Sequence, residues 1–218
     1  MSLRPGEPWG SPASAPPDLE VAGGDRALSG AVADRAGALV RFRPDATSDL
    51  ARAVGLRPGA DPPPPATEVP VDAIRTTHGL ACNAVVVGVP PDRLRWTTPA
   101  HDLEVTVDGE PWFTGQATTL VIANGQFLRG VDLVPRGHPG DGRLEVQIYT
   151  LRRGERRAMR RRLATGRHVP HTRIRTRAAR TVAVRTPRPV PLEVDGEGQP
   201  AVRELRAEVV PGAFRLLV

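Results

Sequence analysis

Most apolar residues in this chain recur at every second position, in short runs bounded by Gly, Pro, Asn or Asp, which is the mark of half-buried β-strands. Near the C-terminus, Val190, Leu192 and Val194 alternate with Pro191 and Glu193, so the segment reads as a strand with one buried face. Asp195-Gly196 follows, and Gly takes the positive φ that a two-residue hairpin turn needs. Glu197 then stands just past the turn, either as a solvated turn residue or as an acid or base held at the mouth of a cleft. The same alternation predicts strands at 71–74, 80–88, 103–107, 117–123, 131–134, 144–151, 171–177, 181–185, 190–194, 203–210 and 213–218. Helical spacing is confined to 26–37, 47–54 and 152–165.

The elements divide the chain unevenly. Residues 1–17, rich in Pro, Gly and Ser and without a period, read as a disordered lead-in. A strand at 19–22 precedes a helix with Leu28, Ala31, Val32 and Arg35 on one face, and a second strand follows at 38–42. The next helix has Ser48 as candidate N-cap and Gly55 as its stop. Strand, helix, strand, helix over 18–60 suggests part of an open α/β sheet. The prolines at 62–65 predict a semi-rigid linker, which sets a domain boundary at 61–70. The many short strands of 71–218, with a single helix, predict an antiparallel sandwich or barrel. The expected fold class is therefore α+β, a partial α/β nucleotide-binding domain followed by an antiparallel β-sandwich. Asp-Gly-Glu occurs at 108–110 and again at 195–197, but two turns do not make a structural repeat.

Composition narrows the chemistry. With 218 residues and 39% hydrophobic content a core is available, and with only 4% aromatics it is built of Val, Leu and Ala. The 24 prolines favour short strands over long helices. Net charge is +6 and every cation is Arg, a fork that binds two phosphate oxygens at once and suits nucleotides or anionic lipid. The lone Cys82 excludes an internal disulfide and sits in an apolar run as a small hydrophobe. No apolar run reaches membrane-spanning length and the N-terminus lacks a signal-peptide core, so a cytoplasmic location, or a peripheral one at the inner membrane, is expected.

Two features carry candidate chemistry on local grounds. The strand ending in Gly23-Gly24-Asp25 lets backbone N–H groups approach a phosphate at the start of a helix, and Asp25 can hold Mg²⁺, although such a sequence is also an ordinary turn. Arg152, Arg153, Arg156, Arg157 and Arg160 to Arg162 form a basic helix over 152–162, which is either a solvated face or an attractor of anionic lipid. Nucleic acid is not expected, because aromatics do not interleave with the basic residues. His78, His101, His138, His168 and His171 are read as scattered loop residues, and Trp96 and Trp112 as core or rim packing.

The order of segments adds a resemblance. Val21-Ala22-Gly23-Gly24-Asp25, then Pro44-Asp45-Ala46-Thr47-Ser48-Asp49, Ala123-Asn124-Gly125, Gly140-Asp141-Gly142 and Val194-Asp195-Gly196-Glu197 together resemble the bacterial diacylglycerol kinase-like lipid kinases, relatives of sphingosine kinases and NAD kinases. The resemblance implies an ATP-binding α/β domain, a larger β-sandwich, and a lipid alcohol entering the cleft between them. It implies that Gly23, Gly24 and Asp25 begin the ATP loop, and that Thr47 and Asp49 lie on a second phosphate-side loop. Asp141 would belong to a Mg²⁺ site, and Glu197 would be the general base that takes the proton of the lipid hydroxyl.

The departures from that pattern are as informative. The family's Gly-Gly-Asp-Gly-Thr loop reads Gly23-Gly24-Asp25-Arg26-Ala27, with a bulky side chain where backbone would meet phosphate. The second loop has lost two glycines and an Asn, and Gly140 replaces the first Asp of the metal site. The family's first strand-helix-strand is expected to be missing before Gly23. Two function classes stay open: an ATP- and Mg²⁺-dependent lipid kinase with impaired catalysis, or a non-catalytic homologue that binds lipid or protein through the sandwich. The lipid and the oligomeric state, a homodimer included, are not specified.

Overall fold

The computed structural model describes residues 9–62, 65–135 and 137–218. Their strands are β1 (Ser11–Pro12), β2 (Leu19–Gly23), β3 (Leu39–Pro44), β4 (Thr67–Thr76), β5 (Gly79–Ala81), β6 (Ala84–Gly88), β7 (His101–Val107) and β8 (Glu110–Ala117). The series continues with β9 (Thr119–Ala123), β10 (Phe127–Leu128), β11 (Val131–Asp132), β12 (Leu144–Tyr149), β13 (Ile174–Ala179), β14 (Thr181–Val194) and β15 (Glu197–Leu217). Three helices accompany them, α1 (Asp25–Val32), α2 (Asp49–Val54) and α3 (Arg156–Leu163). The pairing is antiparallel except where β3 meets β2 and β15.

Two long strands organise the molecule. β14 and β15 form a hairpin with Val194 opposite Glu197. β14 pairs with β7 through its first half and with β6 through its last residues. β15 leaves β14 for β4 and ends beside β3. Each had been expected as two separate strands. The register slips between Arg185 and Val190 and again before Leu192, around three prolines that cannot donate to the ladder. A further slip between Val210 and Phe214 spans Pro211-Gly212. The prolines therefore bend these strands without ending them.

The continuous apolar runs have a physical cause. Val85 and Val87 of β6, Leu120 and Ile122 of β9, and Val146 and Ile148 of β12 face the main core, shared with β7, β14 and β15. Their neighbours Val86, Val121 and Tyr149 face a second cluster, where Met159 and Leu163 of α3 pack. These central strands are buried on both faces, so polar alternation disappears from them. Each such fully buried Val, Leu or Ile contributes about 1.5–3 kcal/mol.

A third cluster joins α1, α2, β3 and β4 to the end of β15 through Leu28, Phe42, Leu50, Val71, Phe214 and Leu216. The boundary expected at 61–70 therefore does not separate two consecutive units. Its last residues, from Thr67, are already β4, and the final strand of the chain completes the N-terminal layer. Within the expected lead-in, residues 1–8 lie outside the described residues, while Ser11 and Pro12 pair with β4 and the Trp9 indole donates to the Pro70 carbonyl (3.0 Å). The local helix signals hold for α2: the Ala51 N–H donates to Ser48 Oγ (3.0 Å), and Gly55 has φ 80°. α1 stops at Val32, short of the expected 37. β8 had no sequence signal because Pro111 and Gly115 interrupt its pattern.

Candidate functional site

A cleft of about 640 Å³ opens between the N-terminal layer and the hairpin turns that face it. One wall is the Gly24-Asp25-Arg26 corner at the start of α1 together with the loop from Asp45 to Asp49. The opposite wall carries Arg129-Gly130, between β10 and β11, and Asp195-Gly196-Glu197, between β14 and β15. Gly24, Asp25, Thr47, Asp49 and Glu197, distant in sequence, thus share one cleft. Gly23 closes β2 directly before it, with φ 121°. Asp141 stands apart, where its Oδ1 accepts from the Arg143 N–H (2.9 Å) and its neighbour Asp72 holds the Gly142 N–H (2.6 Å).

Three carboxylates underlie the cleft, two of them buried and Asp195 half-buried, and each is engaged by the fold. Asp25, 5% exposed, accepts from the Ser48 hydroxyl and from the N–H groups of Asp49 (3.0 Å) and Leu50 (3.2 Å), so it ties the start of α1 to the N-terminus of α2. Burial, and then the Asp195 charge, push its pKa up to about 7 against these hydrogen bonds. Asp49 accepts from the backbone N–H groups of Arg129 and Gly130 and pins the β10–β11 turn to α2; burial raises its pKa. Asp195 accepts from the N–H groups of Cys82 (2.9 Å), Asn83 (2.9 Å) and Ala84 (3.0 Å), and burial raises its pKa too. Asp195 and Gly196 have φ 47° and 82°, the two positive values of the expected tight turn, and Asp108 and Gly109 repeat them at 51° and 84°.

The exposed rim is arranged differently. Glu197, with 64% of its side chain exposed, has Oε2 3.7 Å from Arg26 Nε. Arg26 also donates from Nη1 to the Leu80 carbonyl (3.2 Å), so its guanidinium is anchored beside the candidate base. Asp45 Oδ1 accepts from both the N–H (2.7 Å) and the hydroxyl (2.6 Å) of Thr47. That hydroxyl lies 2.9 Å from where a Cβ on Gly24 would sit, so a larger residue there would push the Thr47 side chain aside. Arg129 bridges Glu193 (2.9 Å) and Asp92 (3.4 Å) at the far wall. Sequence reasoning read Asp195 only as a turn residue and did not single out Arg129. The Arg129-Gly130 turn signal was present, but the acids that surround Arg129 come from remote segments.

Other candidates resolve separately. His168, expected in a loop, is fully buried with Nε2 2.7 Å from the Leu133 carbonyl, and burial lowers its pKa. Trp112 packs partly buried on the main core, whereas Trp96 is 63% exposed. Among the described residues, no three His, Cys, Asp or Glu side chains converge on a metal-sized site. No helix of the described residues is long and apolar enough to cross a membrane.

Residues 93–218, more than half of the chain, match the family described as the YegS C-terminal NAD kinase beta sandwich-like domain. The chain belongs to this family. The YegS-type match includes Glu197, Asp141 and α3, and begins beyond the Gly23-Gly24-Asp25 corner. The whole fold is similar to a solved structure described as "a putative diacylglycerol kinase from Bacillus anthracis str. Sterne", with a TM-score of 0.75 at 16% identity over 92% of this chain and 78% of that one. It is also similar to yeast NADH kinase complexed with NADH, with a TM-score of 0.54 at 13% identity over 92% of this chain and 61% of that one. At these identities the likeness is one of fold, that of diacylglycerol kinase-like and NAD kinase-like proteins. No curated protein matches the chain significantly.

Proposed function

We propose that this YegS-type chain is a lipid-kinase homologue that keeps the cleft of a diacylglycerol kinase but is impaired in phosphoryl transfer from ATP. Arg26 carries the reading. It stands where the resemblance puts the glycine of the family's phosphate loop, and its guanidinium is held in the cleft by the Leu80 carbonyl and Glu197. The acids support it. Asp25 and Asp49 spend their oxygens on hydrogen bonds within the fold and are 5% and 6% exposed, so neither is free to hold Mg²⁺ between the phosphates. The residues present do not fit Mg²⁺-ATP in the family's pose. Burying two acids without a cation is costly unless they are hydrogen-bonded, which is how both are found.

The second reading, an active ATP:lipid phosphotransferase, draws on Glu197. It is exposed on the rim and held by one long ion pair, so it is free to accept a proton from a lipid alcohol in the cleft. Calorimetry with Mg²⁺ and ATP separates the two. The expected outcome is no detectable heat at millimolar ATP for the natural chain. Transfer of labelled phosphate onto a lipid extract by the natural chain, abolished by Glu197→Gln, would overturn the proposal.

A further inference from the structure

The resemblance places a Mg²⁺ site at Gly140-Asp141, in the loop before β12, but the space and the oxygens around this loop are already taken. The Trp9 indole lies against Gly140. A Cβ on Gly140 would come within 2.7 Å of Trp9 Nε1, 3.3 Å of Trp9 Cε2 and 2.9 Å of the Pro70 carbonyl oxygen. The acid that the resemblance implies at this position and the indole therefore exclude each other. Trp9 Nε1 donates to that same Pro70 carbonyl (3.0 Å), and the ring meets His138 edge-on, with centroids 4.4 Å apart. His138 Nδ1 in turn accepts from the Gly140 N–H (3.2 Å).

The oxygens a cation would use are engaged as well. Asp72, 1% exposed, gives one carboxylate oxygen to the Gly142 N–H (2.6 Å) and the other to the Gly212 N–H (2.8 Å). Its own N–H donates to the Pro139 carbonyl (2.7 Å), and its carbonyl accepts from Asn124 Nδ2 (2.7 Å). Asp141 Oδ1 accepts from the Arg143 N–H (2.9 Å). Mg²⁺ demands near-octahedral oxygen ligands at about 2.0–2.1 Å, and these carboxylates would have to give up backbone donors to supply them. The same bonds already do what a structural cation does. Asp72 joins β4 to the 139–142 loop, to β15 at Gly212 and to Asn124, whose N–H is bonded to Asn83 of the cleft wall (2.7 Å). Trp9 and His138 tie the loop to β4 through Pro70, and β1 anchors Trp9's segment by pairing Ser11 and Pro12 with Glu68 and Thr67. We infer that the Trp9 indole stands in for the structural cation: it fills the place of the acid lost at Gly140 and clamps the 138–142 loop to β4, so that the loop is held without a divalent ion.

Thermal unfolding of the full chain, in EDTA and in millimolar Mg²⁺ with no nucleotide present, tests the assignment. The natural chain is expected to give the same midpoint in both, within about 1 °C, because an ion that does not bind the folded state cannot stabilise it. Trp9→Ala should lower the midpoint by about 5 °C or more in both, through lost packing and an unpaired Pro70 carbonyl. Trp9→Ala with Gly140→Asp removes the indole and restores the acid, and its midpoint should rise by about 5 °C or more when Mg²⁺ replaces EDTA. A Mg²⁺-dependent rise in the natural chain, or an unchanged midpoint in Trp9→Ala, would overturn the assignment. So would the lack of any Mg²⁺-dependent gain in the combined variant, whether or not it folds in EDTA. Since nucleotide is left out, none of these outcomes depends on whether the cleft binds ATP.

Discussion

Replacing Asp25 by Asn should change how the stability of this protein depends on pH. Burial and Asp195 raise the Asp25 pKa from 3.8 to about 7, so the folded protein holds this proton more tightly than the unfolded chain does. The resulting stabilisation is fully present below the unfolded pKa and is lost as pH rises through the folded one. At about 1.4 kcal/mol per unit, roughly 4 kcal/mol is lost in all, and roughly 2 kcal/mol of it between about pH 5.5 and about pH 8. Asp195 and Asp49 are raised in the same direction, so the loss belongs to the cluster and not to Asp25 alone. The amide introduced by Asp25→Asn cannot titrate. It still offers one oxygen to the Ser48 hydroxyl and the Leu50 N–H, at a pH-independent cost of about 1–3 kcal/mol for the contacts it loses. Urea unfolding of both proteins at the two pH values reads the slope and cancels that offset. Natural protein should weaken toward alkaline pH while the variant changes little. Parallel pH profiles would show that Asp25 is already ionised throughout this range and would refute the reasoning.

Four further outcomes follow from the same structure. Gly88→Ala should cost about 3 kcal/mol or more in denaturant unfolding, because at φ 92° its Cβ would come within 2.4 Å of the Thr118 carbonyl oxygen. Phe214→Ala should cost about 3–5 kcal/mol, and hydrogen exchange should rise first in α1 and α2, since Phe214 joins β15 to that layer. Asp195→Ala should cost about 3 kcal/mol or more, seen as a lower unfolding midpoint, by stripping three backbone N–H groups of their acceptor. His168, held neutral by burial, gives stability that is present above its ordinary pKa of about 6.5 and lost on acidification; His168→Phe should flatten the acid limb of a melting-temperature profile.

Local physics explains what could be read without coordinates. Asp195-Gly196 and Asp108-Gly109 turn where expected, because a turn with two positive φ values depends on the residues within it. Ser48 and Gly55 bound α2 because caps are made within one helical turn. The extent of β14 and β15 was not legible, because whether a proline ends a strand or bends it depends on the partner strand beside it. Nor was the burial of His168, or the capture of three backbone N–H groups by Asp195, since a short polar segment carries no local record of what packs over it.

The sequence by itself determined the strand-rich class, the turn and cap positions and the relation to lipid kinases. Each of these is a property of residues adjacent in the chain or of their order along it. Only the tertiary structure decided that the last strand closes the N-terminal layer, that Asp25, Asp49 and Asp195 serve the backbone, and that Arg26 lies against Glu197. Those outcomes depend on groups more than twenty residues apart competing for the same buried space and the same hydrogen-bond donors, and that competition is settled only when the chain has closed on itself.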